Sequence, residues 1–569
     1  MNRSCLQLLV LASTTCIALG STATAQPRLV LQITVDQLRG DLPTRYYERL
    51  GEGGFRYLWE NGTVYANAHH AHANNETVVG HATLATGAHP ADHGMIANLW
   101  FDRGKAEVIY NIEDPRYRLL TAGAGVDDAT EIDPTQRAAR SQGRSPAALL
   151  VTTFSDQLAI HTGGRAKIFG VSVKDRGAVT MAGHAGKAFW FSKASGEFVT
   201  SSYYYDAYPD WVREFNQANH VRAYGGQNWD LLHERSTYLF GDKDDQPWEV
   251  DLAGYGRTFP HPFGPADGKY FTTLLTISPA GDQLTLDFTK RLILSEKLGR
   301  DDVPDYLSIS LSSTDYVGHL FGPSSLEAED QLLRLDRTLA DLLTFVDKRV
   351  GLENTLVVLS ADHGAPEAPG FLHELNIPAG YVKPGEWNRA EAIANLQRKF
   401  GIAEEFIERY SHPYVYLNRE VMNAHNLDPA EVETAVAEAL TDFEGVHMAV
   451  SSTALSQDAL SDTPIHNAVR RNFNPERSGD IYVVFKPNWF INDFDGLAVA
   501  STHGSPWRYD SFVPIVFAGS DVPAQQIWRR VHTVDVAPTL SAFLNTAPPS
   551  GAVGTLLDEV FDRRLRVHD

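Results

Sequence analysis

"RLVLQITVDQLRGD", residues 28–41, is an apolar, β-branched run that stops at Asp36. It reads as a buried strand followed by a polar turn, because a strand covered on both faces shows no apolar/polar alternation. Working outward, the pattern returns. "RAKIFGVSVKDRG" (165–177) ends at Lys174 and Arg176, "DYLSISLSSTDYVGH" (305–319) at Asp315, and "NTLVVLSADHG" (354–364) at Asp362 and His363. A fifth run, "SFVPIVFAGS" (511–520), follows His503. Helical patterns lie between them at 324–350, 388–400 and 429–441. Such alternation predicts an α/β fold: a mostly parallel sheet with helices on both faces. In open sheets of this kind, sites form outside the carboxyl ends of the strands. Four of the five runs carry ionisable residues at that end.

Two stretches fit the sheet poorly. Residues 178–290 are rich in Tyr, Trp, Gly and Asp, and 365–495 separate His363 from His503. Both are expected as insertions over the site. There is no internal repeat or low-complexity linker, so residues 26–569 are expected as one elaborated catalytic domain.

The first 25 residues read as a secretory signal peptide. Arg3 supplies the positive start, "LQLLVLASTTCIALG" the apolar segment, and "ATA" at 23–25 the cleavage site. A periplasmic or secreted protein is expected. Both cysteines, Cys5 and Cys16, lie in that leader, so the mature chain has no thiolate for catalysis or metal binding. No later stretch approaches 18 uninterrupted apolar residues, so no membrane span is expected. The formal charge of −22 argues against non-specific nucleic-acid binding. An anionic substrate needs a local cationic site in such a chain.

Asp36, Asp315, His319, Asp362, His363 and His503 supply three carboxylates and three imidazoles at the presumed sheet edge. Asp315 and His319 are four residues apart, one helical turn. Taken singly, Asp36 reads better as a cap, the Asp315/His319 pair as a surface or core pair, "ADHG" equally well as a turn, and His503 carries no signal; together they suit zinc. Six ligands are too many for one catalytic ion that must also bind substrate, and two ions about 4 Å apart would share them. "ETVVGHATLATG" (76–87) adds Thr77, a hydroxyl that needs an activator to become a nucleophile.

In this order, "DQLRGD", "TVVGHATLATGAHPADHG", "SSTDYVGH", "SADHG", "STHG" and the C-terminal "VDVAPTLSAFL" resemble the alkaline phosphatase superfamily. The likeness is to its phosphate-irrepressible (PafA-type) alkaline phosphatases, relatives of the nucleotide pyrophosphatases/phosphodiesterases. The resemblance implies two Zn2+. Asp315, His319 and His503 would hold one ion. Asp36, Asp362, His363 and the Thr77 oxygen would hold the other, a site whose ligands also suit another divalent ion such as manganese. Thr77 would be the nucleophile and pass through a phosphothreonine. Asn98, Lys174 and Arg176 would hold the non-reacting phosphoryl oxygens, which favours the doubly charged monoester over the diester. The implied activity is hydrolysis of small-molecule phosphate monoesters, with no protein partner. The alternatives within the superfamily are a phosphodiesterase or nucleotide pyrophosphatase and a phosphonate hydrolase. A non-catalytic zinc-containing binding protein is the alternative of another class. A sulfatase is disfavoured by "TVVGH" and by a mature chain without cysteine.

Overall fold

The structure, a computed structural model, describes residues 26–494 and 496–561. The expected signal peptide at 1–25 lies outside the described residues.

A ten-stranded sheet organises the chain. Its strands are β1 (Leu29–Val35), β2 (Thr63–His69), β3 (Ile168–Ser172), β4 (Lys187–Ser192), β5 (Glu197–Val199), β6 (Asp305–Leu311), β7 (Thr355–Ser360), β8 (Phe512–Gly519), β9 (Gln525–Ile527) and β10 (Val531–His532). The order is β9-β2-β8-β7-β1-β6-β3-β4-β5, with β10 beside β2. β1 is central and pairs parallel on both sides, Val35 with Leu311 and Thr34 with Ser360. β3 joins the same parallel block, Ser172 opposite Ser310. The carboxyl ends of β1, β3, β6 and β7 therefore lie side by side, as the apolar runs predict.

The fifth run departs from its neighbours. β8 is antiparallel to both β7 and β2. It reads like a parallel strand because it is buried on both faces, and burial on both faces carries no information about direction. Its reversal has a consequence for the site. The beginning of β8, rather than its end, reaches the common edge, so the loop holding His503 arrives beside Asp315 and His363.

Both faces of β1 are covered. Leu29, Leu31, Ile33 and Val35 join a core with side chains of the helices Pro279–Glu296 and Leu326–Arg349. Val30 points the other way, into a core with Leu84, Leu158 and Leu540. Each such aliphatic side chain contributes about 1.5–3 kcal/mol on full burial, so the strand is anchored from both sides and its end is rigid.

Of the segment 178–290, both ends belong to the sheet layers. β4 and β5 extend the sheet, and the helix Pro279–Glu296 covers it. The segment 365–495 contains a separate four-stranded antiparallel sheet, Ile407–Ser411, Tyr414–Leu417, Ile481–Phe485 and Val446–Ser451 in spatial order. Trp387, Val415, Leu440 and Val483 are part of its own core.

Candidate active site

Asp36 is the first residue beyond β1, and its backbone N–H donates to the Leu311 carbonyl at 2.9 Å. This places its carboxylate beside the α-helix Ser313–Phe321, which carries Asp315 and His319 on one face. His319 Nε2 lies 3.2 Å from Asp315 Oδ1, and His503 Nε2 lies 3.4 Å from the same oxygen. His363 Nε2 lies 3.3 Å from Asp36 Oδ1 and 3.7 Å from Asp362 Oδ2. All six expected ligands thus converge.

Among the described residues, two groups have ligand atoms within 4.8 Å of one another: Asp315 with His319 and His503, and Asp36 with Asp315 and His363. Asp315 stands in both. Asp362 is set slightly back, its Oδ2 3.1 Å from His81 Nδ1. The Lys174 ammonium lies 2.7 Å from Asp36 Oδ2 and also contacts Asp315 Oδ2, so those two carboxylates share one cation.

The three imidazoles share one arrangement. Nδ1 of His319 faces the Ser501 carbonyl at 2.8 Å, that of His503 the Asn75 carbonyl at 2.8 Å, and that of His363 the Gly364 carbonyl at 2.9 Å. A carbonyl only accepts, so Nδ1 carries a proton, and Nε2 is the ring atom that a cation lying between it and the carboxylates would engage. This is how outer groups orient metal-binding histidines. Asp36 Oδ1 and His363 Nε2 are buried without a hydrogen-bond partner among the described residues, while Asp36 Oδ2 and Asp362 Oδ2 have the contacts with Lys174 and His81 named above. Buried polar atoms are rarely left so. The donor set and these unpaired atoms fit divalent ions.

Thr77 begins the α-helix Thr77–Thr86 and is fully buried. Arg176 Nη2 donates to its Oγ1 at 3.4 Å. The helix meets the site closely at Gly80, where an added Cβ would stand 1.9 Å from the Asp362 carbonyl oxygen. Gly80→Ala is therefore expected to destabilise the fold by about 1–3 kcal/mol, since backbone rather than a side chain blocks the methyl. Turnover should fall with the melting temperature, because Thr77 and Asp362 are pushed apart. An unchanged melting curve would contradict the close contact.

Asn98 sits behind the helix start. Its Oδ1 accepts the Val78 N–H at 3.0 Å, and its own N–H donates to Glu76 Oε2 at 2.7 Å. With the amide oxygen taken, the NH2 group is left to donate. Asn98 and Glu76 also line a cleft of about 770 Å3 between residues 98–140 and the 384–494 lobe.

Comparison with known proteins agrees with this geometry. The pattern of the family described as type I phosphodiesterase / nucleotide pyrophosphatase matches residues 30–506. The chain belongs to that family. It is 35% identical over 548 residues to an alkaline phosphatase, PafA, of Elizabethkingia meningoseptica, covering 95% of this chain and 96% of that one. A Myroides odoratus protein named as a calcium-transporting ATPase is 34% identical over 96% of both chains. A crystal structure of wild-type alkaline phosphatase PafA superposes with a TM-score of 0.85 at 34% identity, covering 95% of this chain and 99% of that one. The α/β sheet with helices on both faces is thus the alkaline-phosphatase-like fold, and membership makes the chain a metal-dependent hydrolase of phosphate esters.

In this phosphodiesterase-family site the charges are tightly balanced. Burial pushes the Asp36 carboxyl up, but Lys174 and then His363 together outweigh it and hold the group well below the usual range. Burial lowers the pKa of the Lys174 ammonium, yet Asp315 and Asp36 outweigh burial and raise it. Burial and then the neighbouring His363 press His503 down to about 3, which keeps it neutral and able to ligate. Arg176 is charged for the same reason as Lys174. Burial opposes the charge, and Asp133, 2.7 Å from its Nη1, restores it.

Residues that sequence reasoning missed supply the supports. Gln37 donates from Nε2 to Asp315 Oδ1 at 2.8 Å and from its backbone to Asp362 Oδ1 at 3.1 Å. His81 joins the Thr77 carbonyl at 2.8 Å to Asp362 and to Ser310 Oγ at 3.0 Å. The i,i+4 spacing from Thr77 was the available signal for His81. Asp133 had none beyond a helix-capping Asp-Pro.

Proposed function

We propose that this protein is a secreted dizinc phosphomonoesterase of the alkaline phosphatase type, working through a phosphothreonine at Thr77. The observation that carries this reading is Arg176 donating to Thr77 Oγ1 beside a buried cluster of three carboxylates, three imidazoles and Lys174. A monoester dianion needs more than one cation, and Lys174 and Arg176 provide two. Asp315, His319 and His503 would hold one ion. Asp36, Asp362 and His363 would hold the other with the Thr77 oxygen, Asp315 standing close to both. Bound there, the ions supply Lewis-acid stabilisation of charge on oxygen.

The chain's own part is as follows. Arg176, Lys174 and the Asn98 amide take the non-reacting phosphoryl oxygens. With divalent ions on Asp36 and Asp315, the Lys174 ammonium is left to the substrate. The start of the Thr77–Thr86 helix adds its favourable N-terminal potential. Thr77 Oγ1 attacks phosphorus in line as the bond to the alcohol oxygen breaks, and the proton that Thr77 loses is balanced by the one the departing alcohol takes up from solvent. Water then attacks the phosphothreonine, Thr77 regains its proton, and inorganic phosphate leaves. The 365–495 segment and the part of 178–290 between β5 and the helix Pro279–Glu296 serve in this reading as insertions that shape the entrance.

Dialysis against a chelator is expected to abolish turnover and lower the melting temperature, and zinc to restore both. Metal analysis at each step checks this; full activity in metal-free protein would end the proposal. The rival reading, a phosphodiesterase or nucleotide pyrophosphatase, is favoured by the family's description. It predicts that diesters are the better substrates. A phosphonate hydrolase would use the same groups.

A further inference from the structure

Arg176 does not hold itself in place. Its Nη1 donates to Asp133 Oδ2 at 2.7 Å, and both side chains are almost fully buried. The same carboxylate has a second task. Asp133 Oδ1 accepts the backbone N–H groups of Thr135 at 2.9 Å and Gln136 at 3.4 Å, capping the short helix Pro134–Arg137. That helix is a wall of the 770 Å3 cleft whose floor holds Asn98 and Glu76. One oxygen of Asp133 therefore faces the phosphate-binding guanidinium, and the other fixes the wall that the alcohol half of a substrate would meet.

The surroundings keep this carboxylate ionised and oriented. Burial would raise it, but Arg176, then Lys174 and Lys193, outweigh burial and hold it well below the usual carboxylate range. The Tyr316 hydroxyl donates to Asp133 Oδ2 at 3.5 Å. Two ammonium groups approach the Tyr316 ring, Lys174 Nζ at 4.8 Å and Lys193 Nζ at 5.2 Å from its centre. Lys193 in turn pairs with Glu131, which accepts the backbone N–H groups of Ile132 and Asp133. The 131–137 segment is thus tied at two acids to the buried cations behind the site.

We propose that Asp133 is a positioning residue for the reaction. It orients Arg176 towards Thr77 and makes the charge reading of the phosphoryl group depend on the wall of the alcohol cleft. This rests on the phosphomonoesterase reading above. Asp133 touches no reacting atom; it acts through Arg176, so its effect should appear where Arg176 is present and vanish where it is not.

The test is a double-variant comparison on zinc-loaded protein. The variants are Asp133→Asn, Arg176→Ala and the pair together, each assayed on p-nitrophenyl phosphate and bis-p-nitrophenyl phosphate. Asp133→Asn keeps an oxygen for the cap while removing the negative charge that faces Arg176. In the wild-type background we expect kcat/KM for the monoester to fall about 30-fold, and the monoester-to-diester ratio to fall with it. In the Arg176→Ala background the further loss should be under about 3-fold. Equal losses in both backgrounds, or equal losses on both esters, would reduce Asp133 to a structural cap and overturn the proposal, as would no loss at all. Asp133→Ser, which also keeps a capping oxygen, replaces Asp133→Asn should the latter melt early. A different outcome would implicate the underlying reading instead: Arg176→Ala itself leaving monoester turnover intact.

Discussion

Replacing Thr77 with alanine is expected to lower kcat/KM on p-nitrophenyl phosphate by at least about 10^4-fold, with metal content and melting temperature unchanged. The magnitude follows from its place in the mechanism. A nucleophile that forms the covalent intermediate has no substitute among its neighbours, and what survives is the binding contribution of the cations. The stability expectation follows from the helix. Thr77 is its first residue, alanine is a better helix former, and the hydroxyl's recorded partner is Arg176, which keeps Asp133. Thr77→Ser, which keeps the oxygen, should retain most of the rate. If Thr77→Ala kept wild-type turnover, the hydroxyl would be a capping group and the phosphothreonine would be excluded.

Arg176→Ala is expected to cost about 10^2- to 10^3-fold in kcat/KM for the monoester, or roughly 3–4 kcal/mol, and clearly less for the diester. The guanidinium is 3% exposed, with one nitrogen fixed by Asp133 and the other facing Thr77 Oγ1. A preorganised cation in such a dry site interacts strongly with charge that water would otherwise screen. A monoester presents two negative charges and a diester one, so the loss should track the second charge. The variant also leaves Asp133 buried without its cation, a destabilising change. Combining it with Asp133→Asn separates that folding cost from the catalytic one. Equal losses on both esters would mean that Arg176 does not read charge.

The parallel block was legible because an apolar run that ends on an acid has few readings other than a buried strand entering a site. Asp36, Asp315 and Asp362 stand at or just beyond those ends, as the sequence implied. The direction of β8 was not legible, since a strand buried on both faces has the same composition either way. His503 was placed by the loop before that strand, so its arrival at the site depended on the reversal. The second group of ligands also differs in detail. Asp315 stands closer to Asp36 and His363 than expected, and Lys174 bridges the two carboxylates. Contacts such as Gly80 against the Asp362 carbonyl, or Asp133 against Arg176 across 43 residues, join distant segments. Local pattern carries no trace of them.

The most direct test of the central claim is kcat/KM of the zinc-loaded wild-type protein on p-nitrophenyl phosphate and bis-p-nitrophenyl phosphate under identical conditions. The account predicts a strong preference for the monoester. A preference for the diester would contradict it, place the protein with the phosphodiesterases of its family, and leave Lys174 and Arg176 without the second charge they are proposed to read.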